Sequence, residues 1–226
     1  MTHPGSAFLF DLDGTLVDSV YQHVLAWHTA LHAEGIELSV WRIHRKIGMS
    51  GGLFTDQLLR EIDHEVSPER IARLAERHAE AYRTLSASVV PLPGARELLT
   101  GLTELNIPWA IATSGRIATA GPNLAALGVD PQVSVVVTRD QVRFAKPDPD
   151  LFLEAARRLG VPIERSIVVG DSIWDMLAAA RCRALGVGLL TGGYGREELQ
   201  GSGALRVYDD PADLFDHMDE VDSRHR

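Results

Sequence analysis

Short continuous apolar runs alternate along this chain with stretches whose apolar positions recur at helical spacing. The first run, Ala7 to Phe10, stops at two carboxylates, Asp11 and Asp13, followed by Gly14, and reads as a buried strand. From Ser19 to Val89 the strand signals vanish. Val24, Leu25, Trp27, His28, Leu31 and His32 fall near helical spacing, with Gly35 as a stop. Leu53, Leu58, Leu59 and Ile62 suggest a second helix. Ser67 and Pro68 supply an N-cap and a first-turn proline for a third, which carries Ile71, Leu74, Ala75, His78 and Tyr82.

Two prolines and Gly94 break the pattern at residues 89–94, and regular alternation resumes. Helices are predicted over 95–105, 117–127, 149–159 and 173–182, with short ones at 196–199 and 211–217. Strands are predicted over 109–113, 133–138, 166–170, 184–190 and 205–208. Strands alternating with helices argue for an α/β fold in three layers, a parallel sheet covered on both faces. The strandless region interrupts that alternation directly after the first strand. The division expected is a core of residues 1–18 and 90–226 and a helical insertion of residues 19–89, placed to act as a lid.

Composition narrows the class of function. Apolar residues make up 45% and charged residues 23%, as in an ordinary globular protein, and the net charge of −9 argues against a nucleic-acid partner. Cys182 is the only cysteine, so no intrachain disulfide is expected, and it reads as a small core residue. No apolar run reaches the roughly 18 residues of a membrane span, and no signal-peptide pattern opens the chain. A cytoplasmic protein without a membrane partner is expected, a monomer or weak dimer. The polar end, Asp219 to Arg226, is expected to fray.

The candidate chemistry lies at the ends of the apolar runs. Asp11 and Asp13 repel one another unless a cation or a raised pKa relieves them, and Mg2+ suits oxygen ligands at such a place. Thr113, Ser114, Gly115 and Arg116 follow a second run, where a hydroxyl and the N–H groups of a helix start can meet an anion; Ser and Thr there also read as caps. Lys146 precedes Pro147, which restricts its backbone and aims its side chain. Asp171 and Asp175 follow the run ending at Gly170. Asp171 can complete an oxygen shell around Mg2+, and Asp175 can hold metal-bound water or the lysine; both also fit a helix cap and first turn.

Asp-x-Asp-Gly-Thr, then Thr113, Lys146-Pro147, and Gly170-Asp171 with Asp175, resembles in order the four motifs of the haloacid dehalogenase-like superfamily, from Phe8 to about residue 190. The resemblance implies a Rossmann-like core with a helical cap of the phosphoglycolate phosphatase and β-phosphoglucomutase group. It further implies Asp11 as nucleophile and Asp13 as general acid and base. Mg2+ would be held by Asp11, the Asp13 carbonyl and Asp171, while Thr113, the Ser114 N–H and Lys146 would bind phosphoryl oxygens. Asp13 favours phosphoryl chemistry over carbon–halogen hydrolysis. The substrate implied is a small phosphorylated metabolite, phosphoglycolate or a sugar phosphate. The runner-up is a sugar phosphomutase, and a catalytically idle phosphate binder is a remote third.

In the lid, His23 and Trp27 resemble a His-x-x-Ala-Trp segment whose histidine faces the active site, although both also read as core. Gly51, within the glycine-rich segment 48–52, stands where the mutase carries an arginine, and His78 where it carries a lysine. Gly170 replaces an acidic residue of the mutase. These departures favour hydrolysis, and segment 48–52 is expected to form a flexible specificity loop. Arg116 is a candidate contact for a substrate anion. Residues 191–196 are expected to be structural.

Overall fold

The computed structural model describes residues 6–49, 51–61 and 67–221 of the chain. The first strand, β1 (Ala7–Phe10), is followed by four helices: α1 (Val20–Ala33), α2 (Val40–His44), α3 (Gly51–Glu61) and α4 (Pro68–Leu85). Then come α5 (Ala95–Glu104), β2 (Trp109–Ala112), α6 (Ile117–Leu127), β3 (Val136–Val137), α7 (Asp150–Leu159) and β4 (Ser166–Gly170). The chain continues through α8 (Ile173–Cys182), β5 (Leu185–Leu189), α9 (Arg196–Gly201), β6 (Ala204–Tyr208) and α10 (Pro211–Asp216).

Among the described residues the six strands form one parallel sheet, ordered β3-β2-β1-β4-β5-β6. The strand order reverses at β1, which places a crevice at the carboxyl ends of β1 and β4, where such sheets bind ligands. Register keeps those ends level: Phe10 pairs with both Ile111 and Val169. Alternation along β1 sends Phe8 and Phe10 to one face and Leu9 to the other. The Phe8 and Phe10 face packs on Leu98, Leu102, Leu124 and Leu214 of α5, α6 and α10. The Leu9 face packs on Phe152 of α7 and on Ala178 and Cys182 of α8. Phe8 is wholly buried, so Phe8→Ala would cost about 3–5 kcal/mol.

The four helices between β1 and α5, the stretch expected to form the insertion, have a separate apolar cluster that includes Trp27, Leu31, Phe54, Leu58 and Leu74. The helix α4 starts as its sequence dictates, with Ser67 Oγ accepting from the Arg70 N–H and Pro68 in the first turn. No helix among the described residues is long and apolar enough to cross a membrane.

Four expectations are corrected. The strand expected over 133–138 shortens to Val136–Val137, an edge strand, because Val133 is 84% exposed and has no sheet to face. The helix α2 was not expected; only one of its residues, Ile43, is buried, so it carries almost no periodic signal. Gly51 and Gly52 belong to the first turn of α3 rather than to a loop, Gly48 alone taking positive φ, and Ser50 lies outside the described residues. Lys146 does not follow directly on a strand but sits in the loop between β3 and α7. Of the end expected to fray, residues 222–226 lie outside the described part, and a short 3-10 turn, Met218–Glu220, precedes them.

Candidate active site

The turn after β1 sets the geometry. The Asp11 N–H donates to Val169 O at 2.9 Å and so continues the sheet by one residue. Gly14 then takes φ +84°, and its N–H donates to Val17 O, closing a tight loop. A Cβ at Gly14 would fall 2.5 Å from Asp171 Oδ2, so no larger residue fits there.

Three buried carboxylates meet beside this turn. Oxygens of Asp11, Asp171 and Asp175 lie within 4.8 Å of one another. Lys146 Nζ, wholly buried, lies 2.5 Å from Asp11 Oδ1 and 2.8 Å from Asp175 Oδ1. Asp175 is positioned by a capping box at the start of α8, accepting from the Ser172 N–H and hydroxyl at 3.1 and 2.6 Å. Thr15 donates to Asp171 at 2.8 Å.

One ammonium does not balance three carboxylates in a dry site. Burial pushes Asp11 up to about 7; Lys146 opposes that, and Asp175 and Asp13 add to it. Burial, then Asp175 and Asp11, push Asp171 well above the usual carboxylate range. Burial alone would discharge Lys146, but Asp11 and Asp175 outweigh it and hold the ammonium charged. The donor set fits a hard divalent cation, all oxygen and with surplus negative charge. Gly192 lies against the same cluster: a Cβ there would fall 1.8 Å from Asp171 Oδ2, so only glycine lets the backbone approach that carboxylate.

The Asp13 carboxylate lies outside that cluster, in a separate pocket of donors. Its Oδ1 accepts from Ser19 at 2.7 Å and Asn123 at 2.6 Å, with His23 Nε2 at 3.2 Å. Oδ2 has only the Thr113 hydroxyl, at 3.4 Å. Burial would raise Asp13, but His23, Ser19 and Asn123 together hold it down at about 2. Two carboxylates two residues apart are thus driven in opposite directions, Asp11 toward its neutral form and Asp13 toward its anion.

Behind Asp13 stands an aromatic stack. The His23 ring lies 3.8 Å from that of Tyr82, and His78 lies 4.2 Å from Trp27. His23 Nδ1 and His78 Nε2 are 3.2 Å apart, so one proton serves both. Burial, then His23, holds His78 well below the usual imidazole range, so the His78 ring is neutral.

At the end of β2 neither Thr113 nor Ser114 caps α6, whose N-cap is Arg116. Thr113 Oγ1 accepts from the Gly115 N–H at 2.9 Å, and the Ser114 hydroxyl is buried without a partner. Arg116 is held at the rim by Asp140, which accepts from it and from the Ile117 N–H, both at 2.9 Å.

The structure therefore gathers Asp11, Lys146, Asp171 and Asp175, with Asp13 and Thr113 adjoining. Ser114, Gly115, Arg116, His23 and Trp27 line a cavity of about 490 Å3 that opens from them. Gly51 opens α3, and its surroundings lie outside the described residues. Sequence reasoning gave no role to Asn123, Tyr82 or Ser19. Asn123 is a lone polar residue at a core position of α6, between Ala120 and Leu127, and that is the signal that could have found it. Residues 191–196 close the other side: Gly192 O lies 2.8 Å from His44 Nε2, Tyr194 donates to Arg45 O at 2.8 Å, and Thr191 to Gly14 O at 2.5 Å.

Known proteins resemble this chain in sequence and fold. A hydrolase from Pseudomonas syringae superposes with a TM-score of 0.95 at 57% identity, covering 96% of this chain and 99% of that one. Hexitol phosphatase A of Escherichia coli is 34% identical over 189 residues, 80% of this chain and 82% of its own. A phosphoglycolate phosphatase of Rhodospirillum rubrum is 31% identical over 221 residues, 94% of this chain and 90% of its own. Residues 6–183 match the profile of the haloacid dehalogenase-like hydrolases, and the chain belongs to that family.

Proposed function

We propose that this protein is a Mg2+-dependent phosphatase that hydrolyses small phosphomonoesters through an aspartyl-phosphate on Asp11. The observation that carries the reading is the convergence of the Asp11, Asp171 and Asp175 carboxylates on the buried Lys146 ammonium, with the Asp13 carboxylate adjoining and only the Thr113 hydroxyl on its Oδ2. Mg2+, held by the Asp11 and Asp171 carboxylates and the Asp13 carbonyl, would offset the charge that gathers on the phosphoryl oxygens.

Asp11 attacks phosphorus as the bond to the alcohol oxygen breaks, and Asp13, having taken up the proton that the monoanionic phosphomonoester brings in, passes it to that oxygen. Asp13 does so from Oδ2, because Oδ1 is taken by the Ser19 and Asn123 donors and faced by His23. In the second half, Asp13 takes a proton from water, whose oxygen attacks phosphorus and frees Asp11. Lys146 offsets charge on Asp11 and on the transferring group, and Asp175 keeps the ammonium in place. Thr113, the Ser114 N–H and the unpartnered Ser114 hydroxyl offer donors to the phosphoryl oxygens.

Two features favour hydrolysis over the mutase. A Cβ at Gly170 would fall 2.3 Å from Asp175, so no acidic side chain fits there. His78 is neutral where the mutase presents a lysine. The names of the relatives, a hexitol phosphatase and a phosphoglycolate phosphatase, agree on the phosphoryl group and differ on the alcohol. The test is acid quenching during turnover of p-nitrophenyl phosphate with Mg2+, followed by mass analysis of the Asp11 peptide. A phosphoryl adduct is expected. Turnover without one removes Asp11 as nucleophile, phosphate or beryllofluoride binding without turnover on a panel of phosphomonoesters supports the idle binder, and an isomerised glucose phosphate supports the mutase.

A further inference from the structure

The cavity that opens from Asp11, Asp13 and Thr113 is deeper than a phosphoryl group needs, and its far walls are not those of a sugar site. From α4, Ile71, Ala75 and Ala79 face it at four-residue intervals, one stripe of one helix. Opposite them stand Trp27 and Phe54, their ring centroids 4.4 Å apart, and Met49. The room exists because Ala75 and Ala79 are small.

Few polar groups of the insert reach this space. Among the described lining residues they are His23, His78, Lys46 and the indole of Trp27. Both nitrogens of His23 are already engaged, with Asp13 and with His78. A polyol, with a hydroxyl on each carbon, would exchange water for an apolar wall along most of its length. Phosphoglycolate would leave most of the cavity unfilled, and the cations of the core side that border it, Arg116 and Arg139, are already engaged, with Asp140 and with the Val142 carbonyl.

We infer that the cavity selects phosphomonoesters of bulky, largely apolar alcohols, ring-bearing or branched, over polyol phosphates and phosphoglycolate. This deepens, and rests on, the phosphatase reading above. The apolar body lies against Ile71, Ala75, Trp27 and Phe54 while its phosphoryl end reaches Asp11.

The test compares primary alkyl phosphates, whose leaving groups are similar: 2-phenylethyl phosphate, methyl phosphate, sorbitol 6-phosphate and phosphoglycolate. The expected kcat/KM for 2-phenylethyl phosphate exceeds those for sorbitol 6-phosphate and phosphoglycolate by about 100-fold. Equal or better turnover of either polar ester overturns the inference. Ala75→Leu, checked for its melting curve, is expected to lower the ratio of kcat/KM for 2-phenylethyl over methyl phosphate by about tenfold. Ala79→Leu is the replacement should that variant not fold, and an unchanged ratio in the folded variant overturns the inference. If no ester is hydrolysed, the phosphatase reading falls separately. Calorimetric titration with 2-phenylethyl and sorbitol phosphates then decides: tighter binding of the phenylethyl ester supports the inference, and equal or weaker binding overturns it.

Discussion

Asn123 donates from Nδ2 to Oδ1 of Asp13 over 2.6 Å, while its own Oδ1 lies 2.9 Å from the Tyr82 hydroxyl. Core helix α6 and insert helix α4 are thereby tied to one carboxylate. Asn123 is fully buried, so its amide has no water to turn to. Asn123→Leu keeps the volume and removes a charge-assisted donor, a change of about 1.5–3 kcal/mol in the worst case. The expected result is a kcat lowered about tenfold or more, with KM changed less. Tyr82→Phe leaves the Asn123–Asp13 bond in place, and should cost about 1 kcal/mol of stability and little activity. Equal losses in kcat for the two variants would show that Tyr82, not Asn123, sets the Asp13 side chain.

Asp11→Asn separates function from stability. It removes the proposed nucleophile, and p-nitrophenyl phosphate turnover should fall below detection. It also removes one of three mutually repelling carboxylates, and Lys146 keeps Asp175. In chelator the variant should be as stable as the parent or more stable, by about 1 kcal/mol, as at other sites strained for function. Urea denaturation checks it. A marked loss of stability would mean that the Asp11–Lys146 pair contributes more than the repulsion it carries. Asp13→Asn should instead accumulate phosphoenzyme, since the second half of the reaction loses its base; a normal rate would remove Asp13 from acid/base work.

Much of this arrangement was legible in the sequence, for local reasons. Residues 166–170 and 173–182 show why: a continuous apolar run, then Ser172 and Asp175 in capping positions, define β4 and α8 without help from the rest of the chain. Residues 117–127 were equally plain, despite Pro122 within α6. The motif residues could be gathered because register brings β1, β2 and β4 to one level. What was hidden depends on partners remote in sequence. Asn123 gains its meaning from a residue 110 positions away, and the carboxylate of Asp13 turns from the Asp11, Asp171 and Asp175 cluster because Ser19, His23 and Asn123 surround it. Val133 looked like strand because it is β-branched, yet nothing in the fold covers it. The segment 48–52 looked like loop because glycine is frequent there, yet Gly51 and Gly52 are helical.

Lys146 is the only positive charge paired with Asp11 and Asp175 among the described residues, and it is wholly buried. Lys146→Met keeps the stem's volume and leaves the carboxylates without a counter-charge. Removing one partner from such a site costs about 3–5 kcal/mol. That loss is expected in chelator and should shrink when Mg2+ is added, because the cation takes over part of the missing charge. Denaturation with and without Mg2+ measures both. A midpoint unchanged in chelator would show that the carboxylates protonate at no cost to the fold.

The last prediction concerns pH and the metal together. Asp11 is raised from 3.8 to about 7, and Asp171 is raised as well, both first by burial. Between those two values the folded state holds more protons than the unfolded chain, so stability in chelator falls as pH rises through that window. Carboxylates must shed these protons to bind a cation, so the metal competes with them. Mg2+ should therefore raise the melting temperature little at pH 5 and substantially at pH 7.5. Its apparent Kd should fall by about tenfold per pH unit for each proton displaced, below the Asp11 value of about 7. Thermal melts over a Mg2+ series at several pH values measure this directly. A stabilisation by Mg2+ that does not change with pH would place the cation somewhere other than Asp11 and Asp171.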